Sequence, residues 1–216
     1  GAMRGVAVLI SYEIPMVLAV VGILIMTGSL SMVDIVERQG IPFIFYQPLG
    51  FLVFVIAASA ELGRSPFDVL EAESEIVAGY HTEYSGMRFG LFYVTEWAAA
   101  LASSSIIATL FLGGWKGPVL PPVLWFLIKT TFVFFLFLWS RSTLPRVRID
   151  QIMALGWKYL FPLALANILF TAAESLVFPD FPPAGWTQLF LIVVNIVISF
   201  AIYVGISSIF KFEWGK

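Results

Sequence analysis

Long apolar stretches follow one another along the chain, separated by short segments rich in proline, glycine or charge. A helix needs roughly twenty mostly apolar residues to cross the hydrocarbon core of a bilayer. Six stretches meet that requirement: residues 6–32, 43–60, 89–112, 121–140, 157–178 and 186–210. Barrel strands would instead show strict alternation over about ten residues. The pattern predicts an all-α membrane protein, a single transmembrane domain over residues 1–216 with a bundle of about six helices.

The composition agrees with this fold class. Hydrophobic residues make up 60% of the 216 residues and charged residues 12%, whereas a soluble domain has about 25% charged residues. A water-soluble fold of this length could not bury so much apolar surface, so we expect lipid to cover it. Residues 1–4 lack the features of a cleavable signal peptide. We therefore expect the first apolar segment to stay in the membrane.

Basic residues are distributed unevenly between the two ends of the predicted spans. Two of them, Arg38 and Lys116, lie on the side opposite the N-terminus. Nine lie on the N-terminal side: Arg4, Arg64, Arg88, Arg141, Arg146, Arg148, Lys158, Lys211 and Lys216. Cytoplasmic loops carry the excess of Lys and Arg. We therefore expect the loops 61–88 and 141–156 to face the cytoplasm.

Several cofactor classes are excluded by composition. The chain has no cysteine and one histidine, His81, whereas iron–sulfur clusters need thiolates and zinc sites need several Cys or His ligands. No dinucleotide-binding or P-loop motif is present, and a net charge of −2 gives no indication of nucleic acid. We expect this chain to bind no redox cofactor and no metal, and His81 to act through hydrogen bonds.

Residues 60–89, AELGRSPFDVLEAESEIVAGYHTEYSGMRF, form a long acidic loop. Pro66 interrupts any continuous helix, and Asp68 followed by Glu71 predicts a capping box that opens a short new one. Glu71 and Glu75 would share a face of that helix, and like charges at this spacing repel. If the pair is partly desolvated, one carboxyl takes up a proton near neutral pH. The alternative is a solvated acidic loop, although Phe67 and its apolar neighbours favour burial.

Three ionisable residues fall inside predicted spans: Glu13, Glu96 and Lys129. A charge at membrane depth costs a few kcal/mol unless it is paired or hydrated, so function is the default interpretation. The alternative is a Glu–Lys pair that holds helices together.

The last two spans carry three further polar residues. Glu174 lies near the end of its span, so we expect it to reach the interface. Asn167 and Asn195 lie deeper, and we expect them to form interhelical hydrogen bonds.

The acidic loop resembles the most characteristic segment of one membrane subunit of NADH–quinone oxidoreductase (respiratory complex I), known as subunit 1 or, in bacteria, as the H subunit. The family pattern is close to AE-x-x-R-x-PFD-L-P-EAE-x-ELVAGYHTEYS, with proline where this chain has Leu70. Further segments extend the resemblance: GAMR at 1–4, SYEIP at 11–15, GSLSMVDIV at 28–36, LFLGGW at 110–115, and Arg141, Arg146 and Arg148. The match corresponds to the C-terminal two-thirds of the family pattern, without about three N-terminal spans.

The resemblance implies a membrane subunit of a proton-pumping oxidoreductase that houses quinone, its substrate, and transmits coupling to antiporter-like subunits. It places Glu13, Glu61, Glu71, Glu73, Glu75 and Glu96 on a proton path. It places Arg64, Phe67, Asp68, Arg141 and Arg146 at the quinone chamber. Flavin and iron–sulfur clusters are then expected on partner subunits, within a bacterial plasma membrane or an equivalent organellar membrane.

Two other functions are compatible with the sequence. One is the homologous subunit of an energy-converting hydrogenase or ferredoxin-linked complex, which reduces no quinone. The other is a stand-alone secondary transporter with carboxylates at membrane depth. The segments VAGYHTEYSGMRF and LFLGGW favour the quinone-reducing complex.

Overall fold

The computed structural model describes residues 1–63, 66–68, 79–178 and 186–210, apart from the side chains of 80, 81, 187 and 206–210. All regular structure in these ranges is helical, which confirms the predicted all-α class. Besides a 3₁₀ turn at Gly79–Glu83, the helices are α1 (Ala2–Thr27), α2 (Met32–Arg38), α3 (Pro48–Glu61), α4 (Met87–Leu110), α5 (Pro122–Thr143), α6 (Ile149–Val177) and α7 (Trp186–Phe210).

Five of these helices, α1, α4, α5, α6 and α7, contain apolar segments long enough to cross a membrane. The predicted span at 43–60 is different, because α3 has only 14 residues. At 1.5 Å per residue its length is about 21 Å. Pro48 starts the helix, and the residues before it form a buried turn in which Gln47 N–H donates to Phe43 O at 2.8 Å.

The first helix ends five residues before the predicted boundary at 32. Gly28 adopts φ 63° and its N–H bonds back to Leu24 O, a left-handed helix end that glycine adopts without a steric penalty. The Ser31 side chain then accepts from Asp34 N at 3.4 Å and caps α2. The predicted span at 6–32 is therefore a helix that ends at Thr27, followed by the turn that leads into a separate short helix.

The predicted loop at 141–156 is mostly helical. Helix α5 continues to Thr143 and α6 begins at Ile149, eight residues before the predicted start of the fifth span at 157. The Gln151 side chain accepts from the Arg148 N–H at 3.2 Å and supports this early start. Residues Leu155–Leu160 of α6 are π-helical. They lie just before Pro162, which has no N–H to donate to the Lys158 carbonyl.

Helix α1 packs mainly against α3 and α6, and α4 packs mainly against α5. The end of α3 lies beside the first turns of α1, because both line one small cavity formed by Gly5, Val8, Leu9, Ala60, Glu61, Gly63 and Phe67. Helices α1 and α3 are therefore antiparallel. Large apolar side chains such as Phe132 and Leu169 are exposed on the outer faces, as contact with lipid requires.

Candidate functional site

An apolar cavity of about 450 Å³ lies between α3, α5 and the connector from α5 to α6. Its wall includes Val55 of α3, Val133 and Phe137 of α5, and Leu155 of α6. Small-molecule sites have volumes of about 300–1,000 Å³ and mostly apolar walls. The cavity therefore has the size and the surface of a site for an apolar ligand.

The start of the acidic loop closes one side of this cavity. Pro66 and Phe67 line it, and Phe67 is buried. The Val147 N–H of the connector donates to Pro66 O at 3.0 Å. The Phe67 ring packs on the Tyr12 ring of α1 at a centroid distance of 5.7 Å. Phe67, predicted to lie at the chamber, is thus held by both the connector and α1.

The segment SYEIP of α1 joins α1 to the beginning of α6. The Tyr12 hydroxyl donates to Ile152 O at 2.8 Å, and Trp157 Nε1 donates to Ser11 Oγ at 3.1 Å. Gly156 lies at the same contact, where a Cβ would be 3.4 Å from Ser11 O, an ordinary van der Waals distance. The π-helical segment of α6 therefore supplies the indole that bonds to α1.

Two residues predicted for the proton path, Glu13 and Glu61, come close together in the structure. Glu61 ends α3 and lines a second cavity of about 130 Å³ beside α1. Its side chain reaches the surface, but partial burial raises the pKa of its carboxyl, and the negative charge of Glu13 raises it further. Phe67 lines both cavities. The ring therefore lies between the Glu61 cavity and the large apolar cavity.

The predicted chamber arginines lie near the cavity but outside its wall. Arg141 and Arg146 are exposed. Their neighbours line the cavity instead: Ser140, Leu144, Pro145 and Val147. Asp68, which follows Phe67, is half-buried. Of the predicted chamber residues with described side chains, only Phe67 contributes to the wall.

Glu96 is half-buried on α4. Because α4 packs mainly against α5 and α2, Glu96 lies in a different part of the bundle from Glu13 and Glu61. The remaining predicted site residues lie outside the described residues or have no described side chain: Arg64, Glu71, Glu73, Glu75 and His81. The predicted capping box pairs Asp68 with Glu71, and Glu71 lies outside the described residues.

Lys129 is bound by backbone carbonyls. Its Nζ donates to Gly114 O at 3.0 Å and to Lys116 O at 2.8 Å. Among the described residues it makes no ion pair, so the suggested Glu–Lys pair is not formed by Lys129. A long flexible side chain near a helix end can extend its charge toward the interface. Lys129 does so and stabilises the turn between α4 and α5.

The polar groups on the cavity wall were not predicted from the sequence. They are Ser59 and Ser140, whose hydroxyls donate to Ile56 O and Phe137 O of their own helices, and Gln151. Each lies near the loop end of its helix, and Ser140 directly precedes the basic cluster that begins at Arg141. That position next to the basic cluster is the one feature of the sequence that could have indicated a polar residue of the cavity wall. Within the described ranges, no three His, Asp or Glu side chains come together as metal ligands would.

Comparison with known proteins identifies a family described as NADH dehydrogenase, whose model matches residues 1–172. The chain is 55% identical over all 216 residues to the NADH-quinone oxidoreductase H subunit of Dehalococcoides mccartyi, and covers 60% of that relative. It is 56% identical over 172 residues to an H subunit of the same enzyme, numbered 2, from Geobacter sulfurreducens, covering 79% of the chain and 52% of the relative. The corresponding protein of Bacillus cytotoxicus is 53% identical over 178 residues, 80% of the chain and 53% of the relative. The chain thus spans about 60% or less of these relatives.

Proposed function

The chain belongs to the NADH dehydrogenase family, which includes the H subunit of NADH-quinone oxidoreductase, and from this premise we propose that it forms the membrane end of a quinone chamber. In this proposal it also carries carboxylates that couple quinone reduction to proton translocation. The observation that carries the proposal is the apolar cavity beneath the first residues of the acidic loop.

The cavity suits the chemistry of a quinone. A quinone combines an apolar ring and tail with two carbonyl oxygens that accept hydrogen bonds. The apolar wall offers the first kind of contact. Among the described lining residues, the Gln151 amide is the side chain that would donate to a quinone carbonyl, because the Ser59 and Ser140 hydroxyls already donate to Ile56 O and Phe137 O. All three lie toward the end of the bundle that carries the acidic loop, where protons for the reduced quinone would be supplied. Arg141 and Arg146 flank this end and would attract an acidic partner surface or a head group.

The proposed proton path begins beside this cavity. Glu61 and Glu13 lie close together, with Phe67 between the Glu61 cavity and the quinone chamber. Glu71, Glu73 and Glu75 follow in the same loop, and Glu96 extends the path on α4. Glu61 is suited to a relay because burial and a neighbouring carboxylate raise its pKa toward neutral pH.

The proposal extends to topology and partners. With its preceding turn, α3 would be a sixth crossing, since it returns the chain to the level of the first turns of α1. The loop from Glu61 to α4 and the α5–α6 connector would then face the cytoplasm.

The chain has no cysteine, so iron–sulfur clusters, together with flavin, would reside on peripheral subunits that deliver electrons to the quinone. Other membrane subunits would use the coupling.

The experiment fills the cavity from one face of α5. Leu136 lines the cavity, whereas the adjacent Phe135 is 58% exposed on the outer face. In the full-length subunit within its complex, Leu136→Trp should raise the quinone KM by ~10-fold, equivalent to about 1.4 kcal/mol of lost binding. Phe135→Trp is the matched control and should leave it unchanged. The amount of assembled complex is measured for both, and an unchanged KM in assembled Leu136→Trp enzyme would refute the chamber assignment.

A further inference from the structure

Glu174 and Asn195 form a buried acid–amide pair between α6 and α7. Glu174 is 8% exposed and Asn195 is 1% exposed. Asn195 Nδ2 donates to Glu174 Oε2 at 3.4 Å. The other oxygen of each side chain, Glu174 Oε1 and Asn195 Oδ1, has no hydrogen-bond partner among the described residues. The prediction that Glu174 reaches the interface is wrong, because α7 covers it, while the predicted interhelical hydrogen bond of Asn195 is confirmed.

The two buried oxygens without a partner in the described part of the chain, Glu174 Oε1 and Asn195 Oδ1, are both acceptors and lack a hydrogen between them. A buried oxygen without a donor costs about 1–3 kcal/mol, and a buried ionised carboxylate without a cation costs more. Glu174 makes no ion pair within the described parts of the chain. A proton on Glu174 Oε1 removes the charge and turns one of the two acceptors into a donor.

The charged and titratable groups of the surrounding helices do not offer Glu174 a substitute for this proton. On α1 and α3 they are Arg4, Tyr12, Glu13 and Glu61, toward the opposite ends of those helices, as are Asp150, Lys158 and Tyr159 on α6 itself. Tyr203 of α7 lies two turns beyond Asn195, about 12 Å along the helix. Tyr46, in the turn before α3, lies beside Gln188 of α7. No described cation is positioned to neutralise Glu174.

A polar stripe leads from this pair toward the middle of the bundle. Thr171 and Asn167 lie about one and two turns before Glu174 on the same side of α6, and both are buried. Asn167 Nδ2 and Gln47 Oε1 also lack hydrogen-bond partners among the described residues. Both amides lie against Gly22 of α1, where a Cβ would approach them within 3.0–3.1 Å. The stripe thus has unpartnered buried groups at both ends, about 10 Å apart along α6, and buried waters bind at groups of this kind.

We propose that Glu174 is a protonation site: a neutral carboxylic acid paired with Asn195, exchanging its proton through water held along the stripe to Asn167 and Gln47. The site lies in the half of the bundle opposite the acidic loop. It also lies beyond residue 172, where the family match ends, and its partner comes from α7. It is therefore additional to the carboxylates assigned to the proton path above.

Infrared spectroscopy tests this in the chain reconstituted in lipid with its co-purifying subunits. At about pH 6, exposed carboxyls with pKa values near 4.3 are ionised. A protonated-acid C=O band should therefore remain in the wild-type protein, shift in D₂O, and disappear reversibly at high pH. One component of this band should be missing in Glu174→Gln, while Glu61, whose pKa is also raised, and the partner subunits contribute the components that remain. The missing component should persist in Glu37→Gln, the matched control on the exposed surface of α2.

An identical acid band in wild type and Glu174→Gln would overturn the proposal. If Glu174→Gln fails to assemble, Asn195→Leu provides an independent test. Loss of the amide donor should change the frequency of the acid band. An unchanged frequency would overturn the proposal. Saturable Na⁺ binding to the wild-type protein that is lost in Glu174→Gln would assign a metal cation instead of a proton, which also overturns it.

Discussion

The Tyr12 hydroxyl donates a hydrogen bond to Ile152 O across 2.8 Å, and the ring of the same tyrosine packs on Phe67. One side chain of α1 therefore contacts both the first turn of α6 and the first residues of the acidic loop. Tyr12 has no exposed surface. Since Phe67 separates the large cavity from the Glu61 cavity, Tyr12 fixes the wall between them.

Tyr12→Phe removes this hydrogen bond and keeps the ring. Ile152 O keeps the Leu155 N–H as a donor, so loss of the hydroxyl bond should cost about 0.5–1.5 kcal/mol of stability. We expect a lower Tm in thermal unfolding of the detergent-solubilised complex. Tyr203→Phe is the control, because its ring is 50% exposed on α7 and its Tm should match the wild type. Equal Tm values for the two variants would contradict the role assigned to Tyr12.

The helices could be predicted from the sequence because bilayer thickness imposes a length on apolar segments. Their ends could not, because they depend on local geometry. Gly28 ends α1 through a left-handed conformation, and the Gln151 side chain supports the early start of α6. Apolar residues continue across both points, so hydropathy alone gives no boundary there.

The candidate site was predictable only in part. Phe67 stood out because it is apolar within an acidic loop, and the structure places it in the cavity wall. Arg141 and Arg146 stood out by charge, yet their apolar and small neighbours line the cavity instead. The burial of Glu174 depends on contact with α7, and position within a span gives no information about which neighbouring helix covers a residue.

The pH dependence of stability provides a second prediction. Partial burial, and then the charge of Glu13, raise the pKa of Glu61 in the folded protein. The folded state then binds this proton more tightly than the unfolded chain, whose Glu pKa is about 4.3. The contribution is complete below that value and is lost as pH rises through the raised pKa.

Glu61→Gln should therefore flatten the decrease in Tm that begins as the pH rises above the ordinary Glu pKa of about 4.3, and Glu13→Gln should flatten it partly. Glu83→Gln, an exposed carboxylate in the same loop, should follow the wild-type curve. A Glu61→Gln curve parallel to the wild type would show that Glu61 does not titrate abnormally.

The contacts of Lys129 predict that it is energetically independent of Glu96. Lys129→Met should destabilise the protein by about 1–3 kcal/mol, because two carbonyls of the α4–α5 turn lose a charged donor. In a double-mutant cycle with Glu96→Gln, the two effects should add within about 0.5 kcal/mol. Unfolding of the four proteins in detergent gives the coupling energy, and a coupling above about 1 kcal/mol would restore the Glu–Lys pair.

The predicted orientation is tested by cysteine labelling, which the absence of native cysteine makes simple. Cysteines replacing Ser85, before α4, and Lys116, in the α4–α5 turn, should react from opposite sides of the membrane. A membrane-impermeant thiol reagent added to intact cells should label the Lys116 position, and the Ser85 position should react only after permeabilisation. Labelling of both from one side would refute the topology.

The most direct test of the quinone chamber is photolabelling of the assembled complex with an azidoquinone, followed by peptide mapping. The cavity predicts that the label is found in residues 133–155, which cover the inner face of α5, the connector and the start of α6, or in the rest of its wall at 51–59 and 66–67. Excess unlabelled quinone should prevent the reaction, and Leu136→Trp should reduce it while Phe135→Trp does not. Competable labelling restricted to other subunits or to segments outside this wall, with residues 51–59, 66–67 and 133–155 unmodified, would contradict the account.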